Sequence, residues 1–136
     1  MKGKIRVFTD INRVKQVLLQ EGFRDAGIFQ KWKEGQLFGL VKPINEKLEV
    51  HVRGYDDNTL DVEIELSREF LEHITYKAKP YYGYLIDILE KHGIPYEIID
   101  DLPPDPVFIE VPKRVIKWKS IVILAIFALF FLFRKR

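Results

Sequence analysis

His51 stands between Glu49 and Arg53 in residues 47–54, KLEVHVRG, and the following run, residues 59–66, TLDVEIEL, offers Asp61 and Glu63 as facing acids. An imidazole held against a carboxylate is the elementary unit of general-base chemistry. The same pair on the wet face of a strand is an ordinary cross-strand charge pair, and the alternation of these residues reads that way. His73 falls in a short helical stretch. His92 closes another, where a cation complements the helix dipole. No histidine spacing of the HxxxH or HExxH kind is present, so no metal site is expected.

Paired acids occur twice more, as Asp56 and Asp57 in YDDN and as Asp100, Asp101 and Asp105 in DDLPPD. Aspartate and asparagine are standard turn residues, and neither stretch has the ligand spacing of a calcium loop. Ser67 and Ser120 are the only serines, one placed as a helix cap and one in the C-terminal tail. The chain has no cysteine, which removes disulfides, thiolate metal sites and cysteine nucleophiles. Gly35, Gly39 and Gly83 do not form a phosphate-binding loop. No catalytic residues, no cofactor and no metal are therefore assigned, and the chain does not read as an enzyme. Tyr76, Tyr81, Tyr82 and Tyr84 cluster in sequence, and they are the candidate ligand or partner surface, since tyrosine joins apolar area to a polar tip.

The 136 residues allow one domain and a tail. Residues 1–112 carry 15 Lys and Arg against 20 Asp and Glu, a balance of −5, while residues 113–136 carry seven basic residues and no acid. An acidic body argues against nucleic acid as a partner, and a basic, apolar tail argues for a membrane. The absence of cysteine, three asparagines and abundant Lys, Glu and Ile lean towards a thermophilic source.

The elements that position these residues follow from periodicity. Residues 4–8 read as a strand, and residues 11–21 as a helix capped by Asp10 and stopped by Gly22. Residues 27–32 and 37–41 read as a hairpin around KEGQ. The two alternating runs at 48–53 and 60–66 read as a second hairpin with one apolar and one wet face. A short helix follows Ser67, a longer one runs from Pro80 to about His92, and residues 96–100 and 107–111 read as strands. The expected fold is α+β, order β-α-β-β-β-β-α-α-β-β, with a mainly antiparallel sheet packed on helices. The β-α-β4-α portion is similar in order to helix-grip and TATA-binding-protein-like folds, a resemblance that implies a curved sheet around a long helix.

The tail sets the function class. Residues 120–133 hold no charge and no polar face, so neither a surface helix nor an interfacial one fits. Fourteen residues give only about 21 Å of helix, short of the ~30 Å hydrocarbon core. Counting back through Trp118, Ile116 and Val115 gives nineteen residues, about 28 Å, and reads as a single-pass transmembrane helix. The anchor residues are then Val115, Ile116, Trp118, Ile121, Val122, Ile123, Leu124, Ile126, Phe127, Leu129, Phe130, Phe131, Leu132 and Phe133. Lys113, Arg114, Lys117 and Lys119 mark one interface and Arg134, Lys135 and Arg136 the other.

The expected organisation is a soluble α+β domain over residues 1–112 and a basic-flanked, C-terminal transmembrane anchor over residues 113–136, with the domain in the cytoplasm. The function expected is that of a tail-anchored, non-enzymatic interaction module, with the bilayer and another protein as partners. The alternatives are a lipid or small-molecule binding domain at the membrane surface, with a helix-grip-like cavity, and a membrane-bound hydrolase or transferase built on His51.

Overall fold

Alternation of apolar and polar side chains along two adjacent eight-residue runs forces them into one antiparallel hairpin, and that hairpin is the centre of the molecule. The structure is a computed structural model, which describes residues 3–27, 30–99, 109 and 111–134. Its strands are β1 (Gly3–Val7), β2 (Arg24–Asp25), β3 (Gln36–Pro43), β4 (Leu48–Tyr55), β5 (Thr59–Leu66), β6 (Lys79–Pro80) and β7 (Tyr96–Ile98). The helices are α1 (Ile11–Gln20), α2 (Gly83–Lys91) and α3 (Trp118–Arg134), with a 3-10 turn at Leu71–Ile74. The fold is α+β with one antiparallel sheet in the order β2-β3-β4-β5-β1-β7, and β6 pairs with the far end of β5.

Both body helices pack on one sheet face. Ile11, Val14, Val17 and Leu18 of α1 and Leu85, Ile88 and Leu89 of α2 join Ile5, Leu40, Val50, Val52, Leu60 and Val62 in a single core. Asp10 caps α1 by accepting from the Asn12 N–H at 2.9 Å, as its position in the sequence leads one to expect. At Gly93, φ of +66° lets the Ile94 N–H return to the Leu89 carbonyl, which ends α2. Gly54 has a different role: the ring of Phe38 occupies the space where a β-carbon would stand.

Three expectations need correction. The hairpin strand expected at residues 27–32 is not found among the described residues; its place beside β3 is taken by β2, with Arg24 opposite Val41. Asp25 turns the chain away there, accepting from the Gly27 N–H at 2.7 Å. The helix expected from Pro80 starts at Gly83, because Lys79 and Pro80 pair with β5 instead. Most of the last expected strand, residues 107–111, lies outside the described residues, as does Asp100, Asp101 and Asp105, and Ile109 and Val111 are not in a strand.

The transmembrane expectation is corrected as well. The apolar stretch from residue 115 to 133 is not one helix, because the body holds its first part in extended form. Ile116 accepts from the Leu71 N–H at 2.7 Å, and Lys117 forms an antiparallel bridge with Phe70. Helix α3 can begin only at Trp118, so it has 17 residues, about 25 Å. No helix among the described residues is long and apolar enough to cross a membrane.

Candidate functional site

Two places on the molecule concentrate features that folding alone does not demand. The first is the second face of the sheet. Alternation puts Glu49, His51 and Arg53 of β4 and Asp61, Glu63 and Glu65 of β5 on the side away from α1 and α2, and the register sets His51 opposite Glu63 and Glu49 opposite Glu65. This face is not wet. Each of the six residues is buried, none more than 9% exposed. The segment between β2 and β3 crosses it: the Gln30 amide lies where Gly39 has no side chain, and Lys33 reaches to 4.0 Å from Asp61.

Buried charges survive when paired and hydrogen-bonded, and here Arg53 does most of the pairing. Its guanidinium donates to Glu63 at 2.9 Å and to Asp61 at 3.5 Å, and it lies 3.3 Å from His51 Nδ1. Burial, the largest single influence, would lower the Arg53 pKa; the bond to Glu63 and the charges of Glu63 and Asp61 together outweigh it, and the guanidinium is held still more firmly in its charged form. Tyr55 donates to the other Asp61 oxygen, and burial together with that carboxylate raises its phenol. Burial, the largest single influence, would raise Glu65, but His51 Nδ1 at 3.5 Å and, beyond it, His73 and Arg53 together hold the carboxyl below its ordinary value. Glu49 has the opposite fate. Burial first, and Glu65 across the strands second, push its pKa up to about 7. Arg68 Nε stands 3.7 Å away, outside hydrogen-bond distance, and Glu49 Oε1 has no hydrogen-bond partner.

His51, Glu63 and Glu65 bring one ligand atom each within 4.8 Å of one another, a trio of the kind that holds a divalent ion. Arg53 already places a fixed positive charge against two of the three, so the cation of this cluster is the guanidinium. The sequence carried the signal for the trio, acids two residues apart facing a histidine, yet Glu65 was not among the residues singled out. A cleft of about 610 Å³ opens at the Asp61 end of the network, walled by Lys4, Lys33, Glu34, Tyr55, Asp56, Asp57 and Thr59. The YDDN pair thus lines a cleft, although Asp57 is engaged in its own turn by accepting from the Thr59 hydroxyl at 2.5 Å. His51 is not on that wall. His73 and His92 lie apart from it: His73 Nδ1 is 2.8 Å from the Leu66 carbonyl oxygen, and His92 Nε2 is 2.8 Å from Glu21.

The second place is the docked tail. Residues 112–118 are tied to the body by backbone groups along their length. Lys47 Nζ donates to the Pro112 carbonyl at 2.9 Å, Glu72 accepts from the Ile116 N–H at 3.1 Å, and the Trp118 N–H donates to Glu69 at 3.0 Å. Directly after this seam α3 leaves the body. It buries no side chain, and ten of its large apolar residues, Val122 to Leu124, Ile126, Phe127 and Leu129 to Phe133, are 53% to 71% exposed. Around its base the cations Lys113, Arg114, Lys117 and Lys119 are exposed, as are Ile74, Val111, Ile116 and Trp118. Arg134 ends the helix, and Lys135 and Arg136 lie outside the described residues.

The four tyrosines are not brought together. Tyr82 is buried in the core, Tyr81 and Tyr84 pack against it, and Tyr84 lies under Lys42 Nζ at 5.3 Å from the ring centroid. Tyr76 alone faces the tail, in a cleft that includes Pro112. The chain matches no protein-family model, no curated protein and no solved structure.

Proposed function

We propose that the chain is a membrane-attached, non-enzymatic interaction module: α3 enters the hydrocarbon of a bilayer and holds the small α+β body against the headgroups. The observation that carries this reading is α3 itself, a 17-residue helix that is apolar on every side and buries nothing against the body. Exposed apolar area on that scale marks an interaction surface. An interfacial helix would have a charged face, and α3 has none. Between Lys119 and Arg134 the apolar run of residues 121–133 spans about 20 Å, less than the ~30 Å hydrocarbon core, so it is entry into the bilayer and not a full crossing that its length supports. The body then sits on the side of Lys113, Arg114, Lys117 and Lys119, the larger of the two groups of flanking cations, which we place in the cytoplasm.

A partner protein is the natural occupant of the body's exposed surface, in the non-enzymatic reading. The cavity reading is weaker, because the sheet's apolar face is filled by α1 and α2, with Val14, Leu18, Leu85 and Leu89 fully buried. The hydrolase reading is weaker too, because His51 is buried among Arg53, Glu63 and Glu65 and lines none of the clefts described here.

The test is flotation with phosphatidylcholine vesicles. The full chain is expected to float. Ile126→Lys/Phe130→Lys places two charges one helical turn apart, each worth on the order of 2.5–3.5 kcal/mol against insertion, and is expected to stay at the bottom with an unchanged thermal midpoint. A wild-type chain that stays at the bottom and self-associates, with that association lost in the variant, would replace the bilayer with a second copy of the chain.

A further inference from the structure

We propose that the cleft at the base of α3 seats the phosphate of an anionic phospholipid headgroup, an inference that rests on α3 entering lipid. The cleft, about 600 Å³, is walled by Glu72, Thr75, Tyr76, Lys77, Lys79 and Pro112. Its position is set by the docked tail. Glu72 accepts from the Ile116 N–H, two residues before α3 begins, and Pro112 of the docked tail also lines the cleft. A bilayer that receives α3 therefore brings its headgroups to the mouth of this cleft.

The chemistry inside suits a phosphodiester. Lys77 and Lys79, the second of them the first residue of β6, both line the cleft. Neither makes an ion pair with a described residue. Thr75 and Tyr76 share the wall with them, and the Thr75 hydroxyl donates to the Glu72 carbonyl at 3.3 Å. The one acid, Glu72, has both carboxylate oxygens within 3.2 Å of the Ile116 N–H, which occupies it away from a ligand. Outside the cleft, Lys113, Arg114, Lys117 and Lys119 are exposed, with no ion pair among the described residues, and they extend the positive field around the helix base. Ile74, 69% exposed and two residues from Glu72, offers an apolar tip beside the cations. Cations and apolar tips around one helix base are what a surface resting on headgroups and the first acyl carbons requires.

A free phosphate compound would satisfy the same donors, and the experiment separates the two sources. Full-length protein is titrated with phosphatidylcholine vesicles and with vesicles containing a minority of phosphatidylglycerol, at fixed ionic strength. Tighter binding to the anionic vesicles is expected, with about tenfold or more of that preference lost in Lys77→Gln/Lys79→Gln. Lys113→Gln/Arg114→Gln removes the same charge outside the cleft and is expected to lose distinctly less. An equal loss from both pairs would reduce the effect to a diffuse field and overturn the seat. Inorganic phosphate at the same ionic strength is expected to leave the preference standing; its abolition would reassign the cleft to a soluble phosphate compound and overturn the lipid. Equal affinity for both vesicle types would overturn the seat while leaving α3 as the anchor, whereas failure to bind either type would remove the anchor itself.

Discussion

At the residue scale, the second face of the sheet sets stability against pH and against the loss of single charges. Arg53 is the cation that three neighbours share, so Arg53→Met strands two buried carboxylates. Breaking a buried pair in this way destabilises by about 3–5 kcal/mol, and denaturant unfolding at neutral pH measures it; a loss below 1 kcal/mol would mean that water or another cation reaches Asp61 and Glu63. Glu49 works in the other direction. Its pKa in the folded protein, about 7, is above its ordinary 4.5, so the folded state binds more protons across that window. Stability therefore falls as pH rises from about 4.5 to 7 and is level beyond it. Glu49→Gln removes the ionisation, and the variant is expected to be more stable than the parent by on the order of 2 kcal/mol at pH 8 and equal to it at pH 4. Parallel pH profiles for the two proteins would contradict the assignment.

At the scale of elements, what could be read from the sequence was whatever local pattern decides. The β4–β5 hairpin shows in the alternation of residues 48–66, the cap and stop of α1 show in Asp10 and Gly22, and of the two acids expected to face His51 the register selects Glu63, while the nearer Glu65 was not foreseen. The burial of the hairpin's polar face was not legible, because alternation looks the same whether the charged side faces water or a covering segment. Gln30 and Lys33, which supply part of that cover at Gly39 and Asp61, belong to a stretch that reads as a strand of its own. Glycine 39 was the residue that could have warned of it, a gap in a strand where another chain segment approaches. The start of α3 was hidden for a related reason. Val115 and Ile116 are as apolar as any span residue, and nothing near them in sequence reveals that Leu71 and Glu72 claim the Ile116 backbone. Losing those residues to the body shortens the helix but fixes its point of departure, so α3 is joined to the domain by a seam and not by a loose linker.

At the scale of the whole molecule, the charge split takes on a physical meaning. The acids are concentrated in the body, where they meet Arg53, Arg68, Lys33 and Lys91, and the uncompensated cations collect where α3 leaves it. In the membrane-attached state proposed for the chain that arrangement is favourable, since anionic headgroups attract the base of the helix and repel the acidic remainder. Trp118, first residue of α3 and 42% exposed, stands at the level where this account puts the headgroups. In a Trp32→Phe chain it is the only tryptophan, and its emission reads the depth directly. Added phosphatidylcholine vesicles are expected to shift that emission to the blue, with quenching stronger from lipids brominated near the headgroup than from lipids brominated near the bilayer midplane. Emission that stays at its aqueous wavelength, unquenched by either lipid, would contradict the entry of α3 into the bilayer.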